Sequence, residues 1–394
     1  MLMLLAFAEL LGMSVWFSAA AVAPQLRELW NLSPQQASGL TTAVQLGFVA
    51  GTALAAILNL ADLIPARRYF AVSAVLAAGS NAAVVLVTGF AAALPLRFLT
   101  GFFLAGVYPP AMKMIATWFR SGRGFAIGTI VGALTLGKAL PYLVGGLSSA
   151  HWESVVLIAS AGALAAAAMV GLAYRDGPEP FPRRAFSLRL TGEVVRDRRT
   201  RLAIGGYLGH MWELYAMWAL ISLFFFETLR ARGLTEMTAG SMAGLIAFGA
   251  IGIGALGSVV AGTWADRFGR ARIAIWAMAV SGACALLIGW LGTLPIAVLV
   301  ALALVWGFAI VADSAQFSAL VTEVAPPHAV GTALTLQTSL GFALTAVSIS
   351  LAAAIAQAYG WGPAFSLLAI GPALGILAML RLMPARQPDA HDDS

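Results

Sequence analysis

The chain has 394 residues, of which 60% are hydrophobic and only 10% are charged. Soluble proteins carry roughly 25% charged residues, so this composition excludes a water-soluble protein and indicates an integral membrane protein. The net charge of +6 does not indicate nucleic-acid binding, because the arginines lie in short loops between apolar segments. The single cysteine, Cys284, excludes a disulfide within the chain and argues against a cysteine metal site.

Twelve apolar segments follow one another along the chain, and each is long enough for a membrane helix, which needs about 20 residues. A membrane β-barrel would instead show short strands of alternating polarity. The sequence therefore predicts an all-α protein with 12 transmembrane helices, which we number as segments 1 to 12. Their predicted spans are 2–23, 38–60, 69–90, 94–117, 124–147, 153–174, 202–227, 238–264, 272–292, 295–320, 331–356 and 362–383.

The positive charges predict the orientation of these helices. Seventeen arginines fall in the loops and tail on one side of the membrane, and three, Arg27, Arg230 and Arg232, fall on the other side. Short loops rich in arginine remain in the cytoplasm. We therefore expect a multi-pass protein of the bacterial inner membrane with both termini in the cytoplasm.

The longest predicted cytoplasmic loop, residues 175–201, contains the charged and proline-rich sequence RDGPEPFPRR. Such a composition is typical of a linker. The loop divides the chain into an N-terminal six-helix bundle, residues 1–174, and a C-terminal six-helix bundle, residues 202–383. A cytoplasmic tail, residues 384–394, follows.

The two bundles repeat one another in sequence. Two parallel repeats are typical of transporters that bind their substrate between the halves. The spacing also places the counterpart of Leu202 before Met1, so we expect segment 1 of the native protein to begin earlier than this sequence. The matching positions, each pair 204 residues apart, are Glu9 and Glu213, Asp62 and Asp266, and Gly137 and Gly341.

Two loops carry a family signature. The loop after segment 8 reads GTWADRFGRAR, and its first-half copy after segment 2 reads NLADLIPARR. Both resemble the cytoplasmic loop signature of the major facilitator superfamily, although Leu58 and Pro65 stand in the first-half copy where the family has glycines. The matching residues are Gly262, Asp266, Arg267, Gly269, Arg270 and Arg272 in the second half, and Asp62, Arg67 and Arg68 in the first.

Segments 4 and 5 extend this resemblance. Arg97 in RFLTGFFLAGVYPP matches the family's helix 4 pattern, and the glycines and Pro141 of GALTLGKALPYLVGG are similar to a pattern common among exporters, although Lys138 stands where that pattern is normally uncharged. The sequence WFRSGRGFAIG is similar to that of anion porters, including the nitrate, cyanate and organic-anion branches. Nitrate itself is disfavoured, because nitrate porters have an arginine inside segments 2 and 8 and this chain has none there.

The resemblance implies two pseudo-symmetric six-helix bundles and a secondary active transporter that works by alternating access. We expect no cofactor, no metal and no enzymatic activity, since the sequence contains no nucleotide-binding loop, nucleophile motif or metal-ligand cluster. The expected partners are a small-molecule substrate and the lipid bilayer, without nucleic acid, and the expected state is a monomer.

Ionisable residues inside the apolar segments are the first functional candidates, because a charge at the centre of a bilayer costs at least about 2.5 kcal/mol. Lys138 lies about 21 Å into segment 5 at 1.5 Å per residue, too deep to reach the cytoplasmic surface easily. We expect it to bind an anionic substrate. The alternative is an ion pair that only ties segment 5 to a neighbouring helix.

Glu9 and Glu213 occupy equivalent positions in segments 1 and 7, which line the cavity in the superfamily. A buried carboxyl group holds its proton more readily, because desolvation disfavours the anion. His210 lies one turn before Glu213 and titrates near neutral pH. We expect these residues to couple protons to transport, and the alternative is hydrogen bonding that fixes segment 7. By resemblance, Arg97 is structural or proton-related.

Lys113 and Asp313 lie at similar depths in segments 4 and 10. In the superfamily these helices approach each other at the cytoplasmic gate, so we expect a gate bridge between the two side chains. The alternative is that the Lys113 stem lies along apolar surface while its ammonium reaches the lipid headgroups.

Uncharged polar and aromatic residues complete the candidate binding site. Hydrogen bonds to a ligand are expected from five side chains, and Trp212, with Trp16 and Trp218, is expected to form an apolar wall. The alternative for each polar residue is a contact between helices. The five polar candidates are Gln45, Tyr108, Tyr142, Gln316 and Gln337.

Three functions remain open from the sequence. The first is a transporter of a small organic anion, coupled to protons or working by exchange, and Lys138 favours it. The second is an efflux antiporter for drugs or amphipathic metabolites, which the exporter-like pattern of segment 5 favours. The third is a non-transporting receptor or assembly factor on the same scaffold, since fold does not determine function.

Overall fold

The computed structural model describes residues 1–119, 123–147, 151–178 and 188–383. Twelve membrane segments of α-helix run through these residues without a β-strand among them, and the predicted all-α, twelve-segment fold is confirmed. The helices of segments 1 to 6 are Leu2–Met13 with Ser18–Ala21 and Ala23–Leu29; Pro34–Ile57; Ala66–Ala82, continued by a 3₁₀ turn at Ala83–Leu86; Phe90–Leu104 with Tyr108–Ala116; Arg123–Leu147; and Trp152–Ala173. Those of segments 7 to 12 are Arg198–Ala231; Glu236–Gly252 with Gly254–Phe268; Arg270–Ile288; Ile296–Ala312 with Ser314–Val324; Val330–Tyr359; and Trp361–Leu368 with Ile370–Leu382.

Eleven of the helical spans in the described residues are long and apolar enough to cross a membrane on their own. Segment 1 is the exception, because its first helix ends at Met13 and the chain turns through Ser14–Phe17 before it continues. Two short helices, Leu60–Leu63 and Leu188–Arg196, connect the segments.

Some predicted features lie outside the described residues. They are the tail 384–394, the middle of the predicted linker at 179–187, and Arg120. The side chains of Asp62 and Arg123 also lie outside the description.

Large apolar side chains are exposed along the outward faces of the helices, for example Leu86 at 82% and Leu172 at 84%. Most of the ionisable residues of the segments are buried instead, including Glu9, Arg97 and Lys138. This inverted distribution suits a protein whose surrounding solvent is lipid.

Glycines bring helix backbones into contact at the same crossing in both halves. A Cβ on Gly101 of segment 4 would lie 2.0 Å from the carbonyl oxygen of Val44 in segment 2. A Cβ on Gly307 of segment 10 would lie 1.6 Å from that of Ala250 in segment 8. Both members of this second crossing lie 206 residues after the first (307 − 101 and 250 − 44). The structural repeat therefore persists where the sequence spacing shifts by two residues from 204.

The first six segments meet the last six through segments 2 and 11 and through segments 5 and 8. At the ends predicted to face outward, polar contacts cross between the halves. The Ser241 hydroxyl donates to the Gly146 carbonyl oxygen, and Arg27 Nη1 lies 2.9 Å from Glu227 Oε1. At the predicted cytoplasmic ends of segments 5 and 8, a Cβ on Gly128 would meet no described atom within 4 Å. The halves are thus joined at the predicted outer end.

Candidate functional site

The Lys138 ammonium lies in a cluster of aromatic rings between the two halves. Its Nζ is 4.0 Å from the ring centre of Trp16, 4.6 Å from Tyr215, 5.6 Å from Trp218 and 6.0 Å from Phe342. It also donates a hydrogen bond to Tyr215 Oη. We call these four rings the aromatic cage. Lys138 itself is 1% exposed, so the rings replace part of the water around its ammonium through cation–π interactions.

The aromatic cage is built from both halves of the protein. Trp16 of segment 1 and Lys138 of segment 5 belong to the first half, whereas Tyr215 and Trp218 of segment 7 and Phe342 of segment 11 belong to the second. A charged side chain of one half is thus held by rings of the other. Movement of the halves apart at this level would break this contact.

Glu9 comes close to Lys138 because the backbones of segments 1 and 5 touch one residue away. A Cβ on Gly137 would lie 2.2 Å from the Leu10 carbonyl oxygen, so only glycine permits this crossing. Glu9 precedes Leu10 and Lys138 follows Gly137, so the crossing places the two residues next to each other. Glu9 is fully buried, and neither of its carboxylate oxygens has a hydrogen-bond partner among the described residues.

The break in segment 1 is held by Arg97 of segment 4. The backbone carbonyls released at the break need other donors, and the buried guanidinium supplies them. It donates to the carbonyl oxygens of Val15 (3.1 Å) and Trp16 (2.7 Å), to Ser18 Oγ (3.1 Å) and to Asn81 Oδ1. Arg97 therefore fixes the stretch of segment 1 that presents Trp16 to Lys138.

Further buried polar atoms of this region have no partner within the part of the chain that is described. They are Trp16 Nε1, Trp218 Nε1 and both side-chain amide atoms of Gln45. Buried polar atoms are normally hydrogen-bonded, so unpartnered ones require an explanation. Gln45 lies one turn from Phe48, whose ring is 4.9 Å from Trp16.

Glu213, the repeat partner of Glu9, has different surroundings. Its Oε2 accepts a hydrogen bond of 2.8 Å from Ser281 Oγ in segment 9, and its Oε1 accepts one of 2.7 Å from Trp306 Nε1 in segment 10. The side chain is 1% exposed and lies inside the second half. This carboxyl group is fully hydrogen-bonded within its own bundle.

His210 lies one turn toward the predicted cytoplasmic side of Glu213. Its Nδ1 is 2.8 Å from Asp313 Oδ1, and its Nε2 is 3.0 Å from Ser314 Oγ. Both partners lie at the junction between the two helices of segment 10. His210, Asp313 and Glu213 therefore form a line of buried titratable groups inside the second half.

The expected gate partners have other neighbours in this conformation. Asp313 is paired with His210 of its own half. Lys113 lines a cavity of about 280 Å³ in the first half, together with Thr117, Tyr174 and Asp176. A bridge between Lys113 and Asp313 stays a prediction, for a conformation in which segments 4 and 10 approach each other.

The other expected ligand contacts separate into two groups. Tyr142 Oη donates to the Trp218 carbonyl oxygen at 2.6 Å, so Tyr142 adjoins the aromatic cage. Tyr108 is partly buried at the start of the second helix of segment 4. Trp212 instead donates to the Leu367 carbonyl oxygen in segment 12 at 3.1 Å. Gln316 accepts from Arg270 at 3.3 Å, and Gln337 donates to Ser318 at 3.3 Å. Each of these three side chains bonds to its own half.

A sequence model for the Major Facilitator Superfamily matches residues 2–254 and, a second time, residues 206–394. The chain belongs to the major facilitator superfamily. It is accordingly a membrane transporter of that superfamily. No curated protein sequence matches it.

Solved structures of other superfamily transporters share the fold. A bacterial homolog of the human lysosomal transporter Spinster, solved inward-facing and unoccupied, matches with 15% identity over 98% of each chain and a TM-score of 0.72. A mutant of the nucleoside transporter NupG matches with 14% identity over 97% of this chain and 100% of that chain, with a TM-score of 0.74. At these identities the likeness establishes the fold alone.

The cytoplasmic loop signature of the superfamily lies at the end of segment 8. Gly269 has a φ of 89°, which only glycine adopts without strain, and the next helix begins directly after it. Arg270 then bonds to Glu323 of segment 10 at 2.6 Å. Asp266 and Arg267 are exposed, and the Arg267 guanidinium lies 5.3 Å from the ring centre of Phe268. Arg272 is exposed, as are Arg67 and Arg68 of the first-half copy.

The sequence did not indicate several residues of the candidate site. Tyr215 and Phe342 complete the aromatic cage, and Ser281 and Trp306 bind Glu213. One signal was available: Phe342 is the repeat counterpart of Lys138 (342 − 138 = 204). The other residues carry no charge and lie in apolar runs, so nothing in the sequence distinguishes them from lipid-facing or core side chains.

Proposed function

We propose that this transporter moves a small organic anion across the membrane by alternating access and binds it at Lys138, between the two halves. The observation that carries the proposal is a fully buried ammonium that lies against ring faces and donates one hydrogen bond, to a hydroxyl group. The sequence likeness of WFRSGRGFAIG to organic-anion and cyanate porters supports the same class of substrate.

Energetics favour an anion at this position. A cation–π contact in a buried site contributes about 2 kcal/mol, whereas a hydrogen bond to a charged group contributes about 1.5–3 kcal/mol. The Lys138 ammonium has three donors, and Tyr215 takes one of them. An anionic group that reached the aromatic cage would engage the other two.

Protons are the coupling ions that the second half supports best. His210, Asp313 and Glu213 lie along segment 7 and segment 10. His210 is 2.8 Å from Asp313, and Glu213 accepts two hydrogen bonds inside the bundle. Protonation of any one of them changes the local charge and therefore the packing of these helices. Glu9 adds a carboxyl group beside Lys138, the cation that is proposed to bind the substrate.

Purified protein and a thermal-shift screen test the proposed class of substrate. Small organic carboxylates should raise the melting temperature of the wild type, and Lys138→Met should lose that stabilisation because it keeps the length of the stem and removes the charge. Arg68→Met, at an exposed arginine, is the control. Anion stabilisation that survives in Lys138→Met would refute the proposal.

The aromatic cage also supports a second function. Four rings around an ammonium form the kind of site that binds organic cations, so export of lipophilic cations follows if such a ligand displaces Lys138. In the same screen, stabilisation by lipophilic cations alone would make this efflux function the better assignment.

A further inference from the structure

Several buried polar groups near the aromatic cage have hydrogen-bonding capacity that no described residue fills. The donors are the indole N–H groups of Trp16 and Trp218 and the ammonium N–H groups of Lys138 that do not bond to Tyr215. On the acceptor side are both oxygens of Glu9, which have no partner among the described residues. The Gln45 amide offers one donor group and one acceptor.

Glu9 and Lys138 do not satisfy each other in this structure. The crossing of Leu10 and Gly137 places them next to each other, but the Lys138 ammonium donates to Tyr215 and lies over Trp16. The Glu9 carboxylate is left with no donor in the described part of the chain. Each charge thus keeps unfilled hydrogen-bonding capacity, and an unpartnered charge buried in protein is strongly unfavourable.

An anionic ligand alone fills only one side of this arrangement. It satisfies Lys138 and the indole donors, but it brings a second negative charge close to Glu9. A ligand that also carries an ammonium group would donate to Glu9 and remove that repulsion. The rings of the aromatic cage, together with Phe48, would enclose an apolar or aromatic body between the two charged ends.

We infer that the substrate is amphoteric: a carboxylate, an ammonium group and an apolar or aromatic body joined in one small molecule. The carboxylate binds Lys138 and the indole N–H groups of Trp16 and Trp218, and the ammonium binds Glu9. This inference rests on the proposed function, because it takes Lys138 as the anion site, and it adds Glu9 as the residue that selects for the second charge.

Four ligands with the same ring and chain length isolate each charge. They are 3-phenylpropanoate, its 2-amino and 3-amino derivatives, and 3-phenylpropylamine. Affinities for purified wild-type protein are measured by isothermal titration calorimetry at neutral pH. At least one amino derivative should bind about tenfold or more tightly than 3-phenylpropanoate, as one added hydrogen bond to a buried charge predicts. The amine without a carboxylate should bind more weakly than that derivative.

Variants of the protein then show which residues cause the preference for the amino derivatives. Glu9→Gln keeps the shape of the side chain and should bring the amino derivatives to within about threefold of 3-phenylpropanoate, because the charge that selects the ammonium is gone. Glu323→Gln, the same change at an exposed carboxylate, should leave the preference intact. Trp218→Phe keeps an aromatic ring but removes the indole N–H, and it should weaken every carboxylate ligand by a similar factor.

The results separate this inference from the proposed function. If 3-phenylpropanoate binds as tightly as both amino derivatives, or if Glu9→Gln leaves the preference unchanged, the amphoteric assignment is wrong while the anion site at Lys138 stands. If the three carboxylates fail to bind wild-type protein, or bind Lys138→Met equally well, the proposed function fails and this inference fails with it.

Discussion

Segments 1 and 7 are repeat partners, yet they have taken different physical roles. Segment 7 is one continuous helix, Arg198–Ala231, and its Glu213 carboxylate is hydrogen-bonded on both oxygens. Segment 1 is broken at Ser14–Phe17, and its Glu9 carboxylate has no partner among the described residues. An equivalent position in a repeat therefore does not define a role, because the role depends on the hydrogen-bond donors that surround the side chain.

The neighbouring helices explain the difference. Gly307 and Gly101 are the crossing glycines of segments 10 and 4, and each is preceded by a potential donor. In segment 10 this residue is Trp306, which donates to Glu213. In segment 4 it is Thr100, whose hydroxyl donates to the Leu96 carbonyl oxygen of its own helix. The first half therefore leaves its carboxylate available, and the second half does not.

The largest expected effect concerns the break in segment 1. Arg97→Met removes four hydrogen bonds from a charged donor. The Trp16 carbonyl loses its partner, and the Val15 carbonyl keeps only the bond from Ser18 Oγ. We expect a loss of stability of at least about 3 kcal/mol, since each such bond contributes about 1.5–3 kcal/mol. The reaction of a thiol dye with Cys284, which is buried, reports melting in detergent.

Arg68→Met provides the control for that measurement, because Arg68 is exposed. Arg97→Lys should fall between the two, since an ammonium retains the charge but not the forked geometry. Melting of Arg97→Met at the temperature of Arg68→Met would show that the break in segment 1 does not depend on Arg97.

Removal of the carboxyl group should affect stability differently at the two equivalent positions of the repeat, Glu213 and Glu9. Glu213→Leu leaves the Trp306 N–H buried without an acceptor, so we expect a loss of about 1–3 kcal/mol. Glu9→Leu removes a buried carboxylate that has no described partner, so stability should be unchanged or higher. Tryptophan fluorescence during heating measures both variants. Equal destabilisation by the two substitutions would contradict the assigned difference.

Transport assays in proteoliposomes test the same difference between Glu213 and Glu9. Glu213→Gln cannot release a proton, so accumulation driven by a pH gradient should fall to the equilibrium level while substrate exchange continues. Glu9→Gln should retain gradient-driven accumulation and change which ligands compete for transport. A Glu213→Gln variant that accumulates substrate as the wild type does would remove Glu213 from the coupling mechanism.

Much of the fold follows from the apolar runs, because the thickness of the hydrocarbon layer sets their length. Segment 6, expected at 153–174, is observed at Trp152–Ala173. Segment 7, expected at 202–227, extends to Arg198–Ala231, since a helix continues beyond the membrane where hydropathy gives no signal. The break in segment 1 was not predicted, because "SVWF" contains neither glycine nor proline and depends on Arg97, a residue distant in sequence.

The sequence predicted the charged residues of the candidate site and, among the rings of the aromatic cage, Trp16 and Trp218. Lys138, Glu9 and Glu213 are conspicuous inside apolar sequence, because a charge in hydrocarbon is unfavourable. Their partners Tyr215, Phe342 and Trp306 are uncharged and belong to other segments. Only the packing of the helices identifies them, and the same packing directs Trp212 toward segment 12 instead of the aromatic cage.

The smallest expected effect lies where segments 1 and 7 end, at the predicted outer surface. Arg27 Nη1 lies 2.9 Å from Glu227 Oε1, and Trp361 Nε1 donates to Glu227 Oε2 at 2.9 Å. The two charged side chains are 26% and 41% exposed. An exposed pair of this kind contributes about 0.5 kcal/mol, which corresponds to a shift of roughly twofold in the equilibrium between closed and open outer ends.

A cysteine at Thr42 in a Cys284→Ala background reports this equilibrium, because Thr42 contacts Ser350 across the halves at 3.3 Å. Glu227→Gln should increase the labelling rate at this cysteine about twofold. A cysteine at the exposed residue Leu29 should label at an unchanged rate. The double exchange Arg27→Glu with Glu227→Arg restores the pair but not the bond from Trp361, so it should fall between Glu227→Gln and the parent. If the double exchange labels faster than Glu227→Gln, the attraction between these charges does not hold the ends of segments 1 and 7 together.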